Sequence, residues 1–343
     1  MKHNILFIVK NNHEASSRFR IFVYYDLLIK DFNIDFFYSE YNNKNMPKLL
    51  RSLIRRINYF KIIFKLNKYD KVIMQRPMSS DKSKSTIFEW LVSKFSKELI
   101  FDYDDALFLV NEFKIKSILK IANKIICSNQ FLKNYSSQYN KNIFIIPTVV
   151  DTNKFIPINN KDTNKKIVIG WTGTSGNYQF FTDHLIEIIN RVLLTYKNTE
   201  FLFICDKKPP NNFTFKYSYL KWNEKTELQD LQKIDIGLMP LIKNKWTEGK
   251  AGFKTIQYGS IGIPSIASDV GVTNLVIENN KTGFLISNLD DEISWQNKLE
   301  MLIANKKLRE EMGQKAREKI SREYSAEVNY PKLKDAIEFQ YLP

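Results

Sequence analysis

The residues most able to do chemistry in this chain fall into four clusters. The first runs from Trp246 to Gly271, WTEGKAGFKTIQYGSIGIPSIASDVG. Gly249, Lys250 and Gly252 form a glycine-rich entry to a helix expected from about Phe253 to Ser260, and a turn at Pro264 leads into a short apolar strand, Ser265 to Ser268. A helix N-terminus presents N–H groups and the positive pole of the helix dipole, so such an entry suits a diphosphate. Lys250 and Lys254 add mobile positive charge. The same pattern also describes an ordinary strand-loop-helix unit with turn glycines and solvated lysines. The second cluster is the loop GWTGTSGN, with Gly170, Gly173, Thr174 and Gly176 between a strand and a helix. It can be a phosphate-binding turn or a plain tight turn, and it is neither a G-x-G-x-x-G fingerprint nor a Walker A loop.

The third cluster is Asp102, Asp104 and Asp105, which close the run ELIFDYDD. Carboxylates at the C-terminal end of a strand can orient a hydroxyl nucleophile or hold a divalent metal, or can cap the next helix and turn the loop. The fourth lies in NNHEASSRFR, directly after the first strand, where His13, Arg18 and Arg20 reach the edge at which open α/β sheets bind ligands. His3, His13 and His184 are too few and too scattered for a zinc site, and no metal is expected.

The elements that must position these clusters alternate regularly. NILFIVK, NIDFFYSE, YDKVIMQRP and KELIFDYDDALF read as strands separated by helical stretches, and IANKIICSN and NIFIIPTVV add two more. The first helix is expected to run to about Leu28, with Ser16 and Ser17 as candidate N-caps. Pro147 to Lys166 is polar and rich in Asn, the best linker candidate. A second alternation begins at KIVIGWTG and ends in a charge-rich helical tail, Glu292 to Tyr324. A chain of 343 residues suits two domains, and the pattern is α/β with doubly wound parallel sheets.

Composition narrows the setting. Cys127 and Cys205 lie in apolar strand-like runs, where buried free thiols are commoner than a disulfide, which points to a reducing cytoplasm. No signal peptide or membrane span is visible. The net charge of +15 is unevenly placed. From Lys48 to Lys71 eight basic residues interleave with Leu, Ile and Phe against the single acid Asp70. That is a basic amphipathic helix or a pair of them, able to lie on an anionic membrane surface, or equally a packed helix with a solvated basic face. No nucleic-acid motif accompanies the charge, so no nucleic-acid partner is expected.

Together the motifs resemble the GT-B glycosyltransferases, in particular the large retaining family 4 of bacterial surface-polysaccharide enzymes. The resemblance rests on DIGLMPLIKNKWTEGKAGFKTIQYGSIGIPSIASDVGVTNLVIENNKTGFLI, with ASSRFRIFVYYDLL, FDYDDALF and FIIPTVVDTNKF. It implies two Rossmann-like domains facing each other across a cleft, residues 1–155 on the acceptor side and 156–322 binding the nucleotide sugar. A C-terminal helix within 323–343 can return to the first domain. The donor diphosphate would meet the helix beginning near Phe253, with Gly252 before it, the loop at Gly173 and Thr174, and Lys250 or Lys254. The family's E-x7-E pair falls here on Gly249 and Gln257, with Glu248 one position early, although a subgroup with GK-x-x-FK-x-x-QY is similar. An amide thus replaces a carboxylate as ribose ligand. The family's Arg and Lys after the first strand of this domain are missing from GWTGTSGN.

The expectation is a metal-independent glycosyltransferase that needs no cofactor. It would move a sugar from a nucleotide-diphosphate donor to a hydroxyl of a cell-surface glycan precursor such as capsule or O-antigen, with retention taken from the resemblance. Asp104 or Asp105 would orient the acceptor, and Arg18, Arg20 and His13 would bind acceptor or phosphate. The partners are the nucleotide sugar and a lipid-linked glycan, and the place is the cytoplasmic face of the plasma membrane. The competing readings are a sugar-nucleotide epimerase of the same fold and a non-catalytic basic membrane-binding assembly protein.

Overall fold

The computed structural model describes residues 2–40, 46–80, 83–158 and 166–339. Two compact units divide the chain: Met1–Val149 with Asn329–Pro343, and Val150–Val328. The middle of the expected linker, residues 159–165, lies outside the described residues.

In the first unit six parallel strands follow the order β2-β1-β3-β4-β5-β6, where β1 is Asn4–Val9, β2 Asn33–Tyr38, β3 Lys71–Gln75, β4 Leu99–Tyr103, β5 Lys124–Cys127 and β6 Ile143–Ile145. Strands covered on both faces must be apolar along their length, and β1, β3 and β4 are buried almost throughout. Edge strand β2 keeps only partial burial. The chain runs outward from β1 to β2 and then crosses back to β3, so the switch point lies between β1 and β3. The C-terminal segment packs in this unit: Tyr330 donates to Asp31 at 2.6 Å, and the Lys124 ammonium donates to the carbonyls of Ala336 and Ile337.

The first helix departs from expectation. It spans Ala15–Arg20, breaks at Ile21 and resumes at Tyr25–Asp31. Glu14 is its N-cap, so Ser16 and Ser17 do not cap. Both are buried inside the helix, where their hydroxyls donate to Asp104 at 2.7 Å and Gln75 at 3.2 Å. Tertiary acceptors outcompete the local backbone here. The basic stretch becomes a helix over Lys48–Ile63 and a short 3-10 turn, Leu66–Lys68.

In the second unit six parallel strands follow β12-β11-β10-β7-β8-β9, where β7 is Ile167–Gly173, β8 Thr199–Cys205, β9 Tyr217–Lys221, β10 Ile236–Met239, β11 Ser265–Ser268 and β12 Gly283–Ile286. Counted from its own first strand, this is 3-2-1-4-5-6 read from the other edge, the dinucleotide-binding order with its switch point between β7 and β10. An aromatic core stands under that point: Trp171 lies 5.2 Å from Tyr178 and 5.6 Å from Phe181, with Phe203 and Phe213 behind. Truncating a buried aromatic of this kind costs about 3–5 kcal/mol. Both cysteines are free and buried, and burial pushes the Cys127 thiol up to about 12. Among the described residues no helix is long and apolar enough to cross a membrane.

Candidate functional site

In the second unit the switch point is built by one side chain. Tyr258, on the helix Phe253–Ser260, is fully buried; its hydroxyl accepts from the Thr172 N–H at 3.0 Å and donates to the Leu238 carbonyl at 3.4 Å. Its ring fills the space that a side chain at Gly237 would need. Tyr258 therefore ties β7 and β10 to that helix and fixes where the helix begins. Burial holds its phenol above the ordinary tyrosine value, so it serves as a neutral hydrogen-bonding strut.

The helix starts at Gly252, whose φ of 65° places it in the left-handed region that glycine tolerates, and no side chain caps it. Gly271, with φ 60°, passes so close to the preceding turn that a Cβ would lie 2.8 Å from the Glu248 carbonyl oxygen. That turn, Lys245–Glu248, is held by reciprocal Asn244–Thr247 hydrogen bonds of 3.0 Å. Glycine-permitted close approach and a locked turn thus give the helix entry a rigid frame.

At the C-terminal end of β7, a Cβ on Gly173 would lie 2.8 Å from Cε of Lys254 and 2.7 Å from the Trp171 ring. The absent side chain leaves room for the Lys254 stem, whose ammonium stands 5.5 Å from the Trp171 ring centroid. Gly173 and Lys254, 81 positions apart in sequence (254 − 173), are neighbours in space. The following loop is pinned: Asp206 accepts from the Ser175 N–H at 2.6 Å and its hydroxyl at 3.0 Å, while Thr174 accepts from Asn177 at 3.0 Å. Lys250 lies 5.6 Å from the Trp246 ring. Gln257 is buried and donates to Glu227 at 3.1 Å; Glu227 also accepts from Trp222 at 3.1 Å. Glu248 is half-buried.

In the first unit the structure brings together Asp104, Asp105 and two residues the sequence did not single out, Arg76 and Glu14. The Arg76 guanidinium pairs closely with Asp105, lies 3.5 Å from Asp104 and 3.6 Å from Glu14. Lys10 bridges Glu14 at 3.3 Å and Glu40 at 3.6 Å. Arg76 has φ 65°, a left-handed conformation that costs a non-glycine residue about 1–3 kcal/mol and persists where surrounding contacts enforce it. A signal for it exists in the sequence: an arginine before Pro77 at the end of a strand. The His13 N–H donates to the Asn11 side chain at 2.9 Å, and the Arg18 guanidinium stacks 4.7 Å over Phe19.

Arg20, expected to meet phosphate or acceptor, is committed elsewhere. It forms a bidentate pair with Asp102 at 2.7 and 2.5 Å, both side chains almost fully buried, and a third nitrogen donates to the Ile146 carbonyl at 3.0 Å. Burial alone would lower its pKa, but Asp102 beside it and Asp104 nearby hold the guanidinium above its ordinary value. A pair this dry and this fully satisfied binds β4 to the first helix, and breaking it would leave an uncompensated buried charge. Among the described residues no group of three His, Cys, Asp or Glu is placed to hold a metal ion.

Two Rossmann-like units, the second with its glycine-walled switch point, define the GT-B architecture. Residues 207–319 match the family model described as Glycosyl transferases group 1, a segment that contains Lys250, Lys254 and Gln257. No curated protein matches the chain. Among solved structures, sucrose-phosphate synthase from Thermosynechococcus elongatus is similar at 13% identity with TM-score 0.72, covering 98% of each chain. A glycosyltransferase from Rickettsia africae is similar at 16% identity and 0.69, covering 99% of this chain and 100% of its own. HepE from Anabaena, solved with UDP and glucose, is similar at 11% identity and 0.68, covering 98% and 100%. At these identities the likeness is one of fold.

Proposed function

We propose that the chain transfers a glycosyl group from a nucleoside-diphosphate sugar to a hydroxyl of a cell-surface glycan precursor. The observation that carries this reading is the meeting of Gly173 with Lys254 at the β7/β10 switch point, beside a helix that begins on an uncapped glycine. Departure of a nucleoside diphosphate builds negative charge on its phosphate oxygens. A preorganised ammonium and helix N-terminus stabilise that charge, and losing one such group typically costs about 10²–10³ in rate. Lys254 and Lys250 neutralise the diphosphate, Gly173, Thr174, Gly252 and Phe253 bring backbone to it, and Glu248 and Gln257 serve the nucleotide ribose. Asp104 and Asp105 orient the acceptor hydroxyl, with Arg18 and His13 as acceptor or phosphate ligands. Arg20, paired with Asp102, is left out of this set.

Protein side chains and dipoles supply the positive charge, so the reaction needs no metal, and chelation with EDTA leaves turnover unchanged. Retention of anomeric configuration, a lipid-linked acceptor and work at the cytoplasmic membrane face belong to the same reading. The UDP and glucose bound by HepE make uridine donors the first to try. The test incubates the purified protein with a panel of nucleotide sugars and follows released nucleoside diphosphate and the anomer formed by NMR. Slow release of nucleoside diphosphate with the sugar passing to water, faster release when an acceptor hydroxyl takes the sugar instead, and loss of both in Lys254→Ala are the expected result. Donor isomerisation without release, or binding of no nucleotide at all, overturns it.

A further inference from the structure

A hydrophobic stripe on a helix ordinarily faces the core. The Lys48–Ile63 helix keeps one on the outside. Leu49, Leu53, Ile57, Phe60 and, one residue past its end, Phe64 recur at spacings of four, four, three and four, which places them within an arc of about 80°. All five are exposed, Leu49 by 86% and Phe64 by 75%. The core side of the helix is held by other residues: Tyr59 and Ile63 are buried, and the Tyr59 hydroxyl donates to backbone carbonyls of Ser39 and Met78. The stripe is thus a second apolar face, additional to the one that packs.

The surface continues onto the neighbouring helix Ile87–Phe95. Phe60 meets Phe88 edge-on at 5.5 Å, and Ile87, Trp90 and Phe95 are each about half exposed. Around the stripe the charge has one sign. Between Met46 and Tyr69 there are seven Lys or Arg and no Asp or Glu. A second copy of this chain would set like charges against each other, and a nucleic acid would leave the apolar centre uncovered. An anionic bilayer satisfies both halves: acyl chains accept the Leu, Ile and Phe side chains, headgroups accept Arg56, Lys61 and Lys65, and Trp90 suits the interface between the two.

We infer that the face formed by the Lys48–Ile63 and Ile87–Phe95 helices docks on the surface of an anionic lipid bilayer, the helix lying in the plane of the interface. The inference is independent of sugar transfer, because vesicle binding is read without donor or acceptor. The full chain is floated with vesicles of phosphatidylcholine alone or with about 30 mol % phosphatidylglycerol. Binding is expected to the anionic vesicles and to fall at least about tenfold between about 0.1 and 0.5 M NaCl. Leu53→Glu with Ile57→Glu should weaken it at least about tenfold at unchanged Tm. Lys61→Glu with Lys65→Glu, at two exposed positions, gives the same loss and secures the result should the first variant unfold. Equal binding to neutral and anionic vesicles, wild-type binding by the charge-reversed variant, or a dimer in solution that Leu53→Glu with Ile57→Glu dissolves would overturn it, the last by assigning the stripe to a second copy.

Discussion

The two sheets each change direction once, and the two switch points are furnished in opposite ways. At β7/β10 the strand ends on Gly173, and the charge nearby comes from one lysine laid across the glycine. At β1/β3 the strand after the crossover is followed directly by Arg76, a large residue forced into a glycine-like conformation and held there by Asp104, Asp105 and Glu14. One point removes a side chain and leaves room for the Lys254 stem. The other crowds side chains together, four carboxylates around one arginine and one lysine when Glu40 and Lys10 are counted. The two switch points therefore differ in kind: that of the second unit is opened by a glycine beside a lysine, and that of the first is filled by carboxylates around an arginine.

The sharpest way to break that contrast is to alter each point and ask which step fails. Asp105→Ala, and separately Asp104→Ala, should lower transfer by about 10²-fold or more, the usual contribution of a positioned base, with nucleotide affinity unchanged in a thermal-shift titration. Asp105 carries the more accessible side chain of the two, 26% against 9%, and is expected to show the larger loss. Full activity in either variant removes that residue from the scheme. Lys254→Ala should do the converse, cutting turnover by about 10²-fold and weakening nucleoside-diphosphate binding, while nucleoside binding stays level. Gly173→Ala tests the same contact from the other side: its methyl would lie 2.8 Å from Cε of Lys254 and 2.7 Å from the Trp171 ring, so it should weaken nucleoside-diphosphate binding as Lys254→Ala does, with a loss of Tm from the crowded ring that Lys254→Ala does not share.

Arg76 offers a smaller test. Arg76→Gly relieves a strain of about 1–3 kcal/mol but deletes the cation between three carboxylates. The two effects oppose each other, so Tm should change by only a few degrees while transfer drops. If the arginine were merely a turn residue, the glycine variant would be more stable and fully active.

How much of this could be read in advance differs between the units for a physical reason. Parallel strands buried on both faces are continuous apolar runs, so NILFIV and KVIMQ announce themselves, and glycine before FKTIQYGS marks a helix entry that the structure places at Phe253. Strand order is carried by pairings between distant segments, which no local pattern encodes. Side-chain partners are hidden for the same reason: Gln257 finds Glu227 thirty residues away, and Lys254 finds Gly173 across β7. Ser16 and Ser17 look like caps because capping is the local option, and they are drawn inward by Asp104 and Gln75. At Arg76 the sequence shows only an arginine before Pro77 at a strand end, and its left-handed conformation is imposed by contacts that exist only once the sheet is assembled.

The finest distinction concerns what holds the Gly173 loop. Asp206 is the tether, accepting both the N–H and the O–H of Ser175. Burial alone would raise its carboxyl, but those donors, with the Cys205 thiol, outweigh it and hold the pKa below the ordinary aspartate value. A depressed folded-state pKa means the tether's contribution is complete above the unfolded value of about 3.9 and is lost as pH falls through the lower folded one. Because the carboxylate is largely solvated, the effect is small, a few tenths of a kcal/mol. Melting curves from pH 6 down to about pH 3 should therefore show wild type and Asp206→Asn separated by a constant small gap above pH 4 that closes below it. The asparagine keeps one acceptor for the Ser175 N–H and loses the charge. No gap at any pH would mean that the loop is held by packing on Trp171 and Tyr178 rather than by this carboxylate, whereas a gap that stays fully open at pH 3 would mean that the side chain holds Ser175 without its charge.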